Sequence, residues 1–422
     1  MAQIIDFFKK RYGTNYEKQP EKTAEKPKDR STEKPKDRPR DDRDYKQKLL
    51  RHRLQIALRI LIIAAVVAVL GVIIYFVRRN REYTDYETIN RVNFEEAVTA
   101  KYLNLNGNVL RFSKDGASVF NMQEGMSWNQ TYEMQNPMID VCGDYAAIGD
   151  YKGTKIYVFN SQGLEGEIDT TLPVQTFCIS GTGNVATVLE ENEVTWIKLF
   201  NKHGDLVAND RTTMAKSGYP VKVAISQDGI ILGVSFLRID TGVLSSSVVY
   251  YNFGSVGQNE IDNLVSGYDY SETVVSEIGF MNDKTSFALG DNKLIIYEGA
   301  QKPESKCLVP IEDEVQSVFY GRDYISLIYM DETGQETYRM EVYNTDGDLV
   351  TTCKFSLDFR DVVFNKGSIA VYNSDECIIF NTQGGEKFHG SFHRSIITMI
   401  PTGTESKYML VTGTDMEEIQ LK

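Results

Sequence analysis

From about residue 91 onward one short unit recurs: a β-branched or aromatic run that ends in an aromatic or apolar residue, often followed by Asn and then a Gly turn. The clearest copies are KIYVFNSQG (Lys155–Gly163), WIKLFNKHG (Trp196–Gly204), RMEVYNTDG (Arg339–Gly347) and CIIFNTQGG (Cys377–Gly385). Weaker copies end at Gly125, Gly254 and Gly299, and MEEIQLK (Met416–Lys422) is the last. Taking Phe120, Phe159, Phe200, Tyr251, Tyr297, Tyr343, Phe380 and Gln420 as equivalent gives spacings of 39, 41, 51, 46, 46, 37 and 40 residues. Periods of about 40–45 residues with several strands in each indicate a β-propeller.

Two further strands precede the clearest copies. MIDVCG and YAAIGD stand before KIYVFN, VQSVFY and YISLIYM before RMEVYN, and RDVVF and SIAVYN before CIIFN. The repeat is therefore the third strand of a four-stranded blade, and eight copies predict eight blades. Seven is the alternative if a weak copy is miscounted. The last copy has no fourth strand after it, so a segment within Glu87–Phe94 is expected to supply one and close the ring. Asn and Gly are expected to provide the positive φ that the third hairpin requires.

The second constraint is Ile60–Val77, ILIIAAVVAVLGVIIYFV, which carries no charge. Eighteen residues at about 1.5 Å each match the hydrocarbon thickness of a bilayer, and a backbone in lipid satisfies itself as a helix. Arg59 before it and Arg78 and Arg79 after it mark the membrane boundaries. The predicted organisation is a disordered basic tail at 1–43, a juxtamembrane helix at 44–59, a transmembrane helix at 60–77, a stalk at 78–90 and a propeller at 91–422. Within the tail EKPKDR occurs twice and no apolar period appears, while residues 1–12 pair apolar side chains with Lys9, Lys10 and Arg11. Ala64 and Ala68 have the small-residue spacing that permits close helix contact.

Charge divides the chain. Residues 1–59 hold 18 Lys and Arg against 10 Asp and Glu, whereas residues from 78 onward hold 28 against 49. The 20 residues before the span carry seven Lys and Arg, the 20 after it four. The positive-inside bias predicts a single-pass protein of the bacterial cytoplasmic membrane with a cytoplasmic N-terminus and an extracytoplasmic propeller. The acidity of the exported part argues against a nucleic-acid partner. Cys142, Cys178, Cys307, Cys353 and Cys377 are scattered, form no CxxC pair and sit in or beside strand patterns, so they read as small core residues.

The stretches Thr131–Asp150, Lys216–Pro220, Tyr251–Val265 and Lys387–Thr402 resemble an uncharacterised bacterial domain-of-unknown-function family of single-pass membrane proteins with a quinoprotein-like or WD40-like propeller. The resemblance implies a fold and a cell-envelope location and no activity. Better-known eight-bladed relatives are quinoprotein dehydrogenases or envelope-assembly scaffolds. The dehydrogenases carry tryptophan-docking repeats, but this chain has only Trp128 and Trp196 and no repeated Gly-Lys-Trp-type signature; it also lacks a Trp-Asp dipeptide, so the WD40 likeness is architectural. No cofactor is expected.

Chemistry-bearing motifs are few. His389 and His393 have HxxxH spacing, but in a strand-turn context and not on a helix, so no metal site is predicted. NTDGD at Asn344–Asp348 lacks the distal glutamate of a calcium loop. GxSxG, P-loop and dinucleotide fingerprints are missing. If strands alternate in direction, the loops between second and third strands share a face with those joining successive blades. That face is expected to carry Tyr219, Tyr268, Tyr270, Asp240, Asp331 and Glu332 as partner-binding residues. The favoured function is a membrane-anchored, non-catalytic scaffold that docks an envelope protein or wall polymer. The alternatives are a glycan-active propeller enzyme and a sensor that signals through the basic tail.

Overall fold

The computed structural model describes residues 42–79, 81–95, 99–191, 194–213, 217–240 and 242–422; the side chains of 42–46, 74–79, 210–213 and 240 lie outside that description. The expectations for the tail ahead of residue 42 also lie outside it.

The first described element is one continuous helix, α1 (Asp42–Arg79), in which the predicted juxtamembrane and membrane segments merge. Its stretch Gln47–Ile73 is long and apolar enough to cross a membrane, and the apolar window there is wholly exposed. Arg59 lies inside this stretch with its side chain exposed, and Arg78 and Arg79 are the last two residues of α1.

The remainder is an eight-bladed propeller. Eight four-stranded antiparallel sheets follow one another, and all eight equivalent positions of the repeat fall in third strands, from Gly116–Asn121 to Asp415–Leu421. The blades are numbered in chain order from Lys101. Inner strands such as Pro137–Cys142 (blade 2) and Val174–Ile179 (blade 3) abut one another around the axis, whereas the fourth strands lie outermost. Alternation along the middle strands buries both faces: Tyr145–Asp150 and Tyr324–Met330 each read as an almost wholly buried run. Eight apolar clusters result, most of them holding side chains of neighbouring blades between two sheets, such as Phe159, Ile148 and Leu110.

Blade 8 combines both ends of the propeller. Its inner three strands run from Thr398 to Leu421, and its outer strand is Tyr86–Asn93, paired antiparallel from Tyr86 with Leu421 to Asn93 with Asp415. The closing strand thus falls on the stretch within Glu87–Phe94 expected to supply it, begins one residue earlier, and shares Tyr86–Asn90 with the stretch assigned to the stalk. The residues just before it are already held by backbone bonds, Tyr83 N to Lys387 O at 2.7 Å and Thr84 N to Lys422 O at 3.0 Å.

The third hairpin turn differs from expectation in one respect. Glycines take the positive φ, +93° at Gly204 and +81° at Gly347, but the preceding Asn residues are not in the left-handed region. The asparagine acts through its side chain: Asn201 Oδ1 accepts from His203 N at 3.0 Å and Asn344 Oδ1 from Asp346 N at 2.9 Å, with the same contact at Asn121, Asn160 and Asn381. A short amide beside the backbone satisfies turn N–H groups that the ladder has left unpaired.

Candidate functional site

The inner strands enclose a cavity of about 400 Å3. The last residues of five consecutive inner strands line it: Cys142, Ile179, Ile225, Phe280 and Tyr320, in blades 2 to 6. It therefore lies toward the end where first and second strands join. A wider recess at that end is formed by Asn104, Gly107, Gly143, Pro401 and Thr402. The closing strand Tyr86–Asn93 begins at the same end, because it starts beside the terminus of the third strand of blade 8.

Four polar side chains converge here. Asp140, on the inner strand of blade 2, accepts a hydrogen bond from the backbone N–H of Ile179 in blade 3 at 2.7 Å. Burial pushes its carboxyl up to about 6, against the pull of that N–H and of the Lys222 ammonium. Lys222, from blade 4, is engaged by Glu277 of blade 5 at 2.9 Å. Tyr320, from blade 6, stacks edge-on against Phe287 with centroids 4.8 Å apart. Its hydroxyl is shifted upward by burial and then by the Asp140 and Glu277 carboxylates.

Two thiols share the cavity. Burial first, then Asp140, pushes Cys142 up to about 11 and Cys178 well above the ordinary thiol range. Both stay protonated at neutral pH, so neither is a poised nucleophile. Among the described residues no three His, Cys, Asp or Glu side chains converge as a metal site. His389 instead meets Glu376 at 2.9 Å, and the ring of His393 stacks on Tyr86.

The residues singled out by sequence lie toward the opposite end. Tyr219 opens the inner strand of blade 4 and is 39% exposed. Beside it, the second hairpin of blade 4 has ten-residue strands, Ile231–Asp240 and Val243–Asn252, where most blades have five to seven. Its projecting end exposes Ile239 (72%), Leu244 (48%) and Val243 (37%). Asp240 ends the first of these strands, and its side chain is not described. Tyr268 and Tyr270 lie on the outer strand of blade 4 and face blade 5: Tyr268 Oη donates to Pro303 O at 3.0 Å, and Tyr270 Oη meets Tyr297 Oη at 2.6 Å. Asp331, in the second turn of blade 6, is buried under Lys354 at 3.0 Å and takes the Thr333 hydroxyl at 2.6 Å, while Glu332 beside it is exposed. The structure thus brings Tyr219 beside an apolar tip, and ties Tyr268, Tyr270 and Asp331 into local contacts. Sequence reasoning did not single out Asp140, Lys222, Glu277 or Tyr320; the one available signal was a charge in the middle of an apolar inner strand, as in MIDVC and VKVAI.

A family profile described as "Family of unknown function (DUF5711)" matches residues 79–421. No curated protein matches the chain. Among solved structures, Sqt1 of Chaetomium thermophilum is 11% identical with a TM-score of 0.51, covering 80% of this chain and 98% of that one. BamB of Moraxella catarrhalis is 13% identical with a TM-score of 0.45, covering 80% and 100%. The WD40 domain of SCAP from fission yeast is 10% identical with a TM-score of 0.46, covering 80% and 98%. At these identities the likeness is one of fold alone.

Proposed function

This chain belongs to the DUF5711 family of unknown function, and we propose that its propeller is a non-catalytic binding module, anchored in the cytoplasmic membrane by α1 and docking an envelope protein on the outer side. The observation that carries this is the projecting hairpin of blade 4. Its end exposes Ile239, Val243 and Leu244 next to Tyr219. Apolar side chains presented at a hairpin end gain from desolvation on binding, and tyrosine adds contact area with a polar tip. Such a surface suits a protein partner better than a wall polymer, whose hydroxyl-rich face calls for polar groups. The orientation rests on the excess of Lys and Arg ahead of the span.

The test is in-cell crosslinking of the full-length protein followed by mass spectrometry, with Tyr219→Ala and Ile239→Ser/Leu244→Ser variants alongside. One abundant extracytoplasmic partner, lost in both variants, is the expected result. Capture by purified cell wall with no protein partner would move the function to polymer binding. Crosslinks confined to soluble cytoplasmic proteins through the basic tail would overturn the proposal in favour of the sensor.

A further inference from the structure

The axial cavity is independent of the projecting hairpin and lies toward the other end of the propeller. Its charges do not balance. Around it, among the described residues, stand the carboxylates of Asp140, Glu277 and Asp283 against the single ammonium of Lys222. Glu277 engages that ammonium, and Asp283 accepts a backbone N–H from Asp228 at 2.9 Å. Asp140 forms no direct ion pair among the described residues; it accepts from the backbone N–H of Ile179 in blade 3, and the Lys222 ammonium acts on it less strongly. A carboxylate enclosed in a cavity and answered only by an ammonium that Glu277 already engages is stabilised when a further cation joins it.

The walls restrict what that cation can be. No set of metal ligands converges among the described residues. Ile225, Ile278, Phe280 and the ring of Tyr320 supply the apolar and aromatic part of the lining. The Tyr320 hydroxyl makes no hydrogen bond among the described residues, which leaves an acceptor for an N–H donor. A carboxylate beside aromatic faces is the chemistry that recognises ammonium groups carrying hydrocarbon. We propose that the axial cavity binds a small organic cation, an amine or quaternary ammonium, with its charge on Asp140 and its hydrocarbon against Tyr320, Phe280 and Ile278.

The titratable and charged groups facing Asp140 are Cys142 on its own strand, Cys178 from blade 3, Lys222 from blade 4, Glu277 and Asp283 from blade 5, and Tyr320 from blade 6. Of these, Asp140 is the group whose carboxyl is raised to about 6, so occupancy is expected to fall between pH 7.5 and pH 5.

The experiment is isothermal titration calorimetry of the full-length chain in nanodiscs with choline and with putrescine, using glucose and acetate as uncharged and anionic controls. Expected is saturable binding of at least one cation at pH 7.5, weakened at least about tenfold at pH 5 and in Asp140→Asn, and unchanged in Asp375→Asn at a remote, exposed acid. Tyr320→Leu, at a half-exposed position, is expected to weaken it about fivefold and serves if Asp140→Asn does not fold. Failure of both cations to saturate, equal affinity in either cavity variant, or saturation by glucose or acetate alone overturns the proposal.

Discussion

Arg91, on the first strand of the propeller, and Glu417, on its last, form an ion pair of 2.6 Å across the seam that closes the ring. Glu417 also accepts from the Thr88 hydroxyl at 2.9 Å and pairs with Arg394, which reaches Asp415 as well. The carboxylate is buried while both arginines are half-exposed. One acid therefore holds three donors from the two sides of the seam. Glu417→Gln removes the charge from all three contacts and is expected to cost about 2 kcal/mol. Urea unfolding should show a lower midpoint with an unchanged slope. The exposed pair Lys155–Glu167 is the control, because its loss is expected to leave the midpoint nearly unchanged.

Asp331 predicts an acid-side dependence. The Thr333 hydroxyl, then Lys354, hold its carboxyl at about 2, below the ordinary carboxylate range. A depressed folded value means that the contribution is complete above the ordinary value of about 4 and is lost as pH falls through about 2. Thermal melts of wild type and Asp331→Asn should therefore differ by a constant amount above pH 4 and converge as pH drops to 2. A gap that persists at pH 2 would show that Asp331 acts by shape and not by charge.

The tyrosines of blade 4 separate recognition from packing. Tyr297 is fully buried, and its hydroxyl meets that of Tyr270 at 2.6 Å. Tyr270→Phe leaves a buried hydroxyl short of this partner and is expected to cost about 1–3 kcal/mol. Tyr219→Ala, at an exposed position, should stay within about 1 kcal/mol of wild type and change partner capture instead. Equal losses of stability in the two variants would remove the distinction.

The fold was legible because its signal is local. A third strand with its Asn and Gly turn falls within about ten residues, so the four clear copies could be read alone and their spacing located the weaker ones. The closing strand was legible by count, since the eighth blade lacked a fourth member. What the asparagine does was not, because a left-handed residue and a side-chain cap leave the same letters. The cavity was not legible either. Asp140, Lys222, Glu277 and Tyr320 are separated by 82, 55 and 43 residues, each in an apolar run, and meet only because blades 2 to 6 wrap one axis. Tyr268 and Tyr270 looked like face residues because an outer strand bordering a loop and an inter-blade contact have the same aromatic composition.

The asparagine turn gives a test of that distinction. Asn381 Oδ1 accepts from Gln383 N at 2.8 Å and Gly385 N at 3.0 Å, where Gly384 already holds the left-handed backbone. Asn381→Asp keeps the acceptor and should remain close to wild type, whereas Asn381→Ala should lose about 1 kcal/mol. Asn381→Gly is the decisive comparison: a need for backbone freedom predicts full rescue, and a side-chain cap predicts a loss at least as large as that of alanine.

Asp140 carries the opposite pH signature to Asp331. Its folded value, raised to about 6, means that the folded state binds the proton more tightly than the unfolded chain. Stability is therefore greatest below pH 4 on this account and is lost as pH rises through 6. Asn at this position keeps an oxygen that can accept from Ile179 N and carries no charge to desolvate. In the absence of any ligand, Asp140→Asn should match wild type at pH 4 and exceed it by about 2 kcal/mol or less at pH 8. Guanidinium unfolding at the two pH values measures this directly. A variant less stable than wild type at pH 8 would mean that the carboxylate is paid for by contacts with Lys222 that outweigh its desolvation, and would weaken the case that this acid awaits a cation.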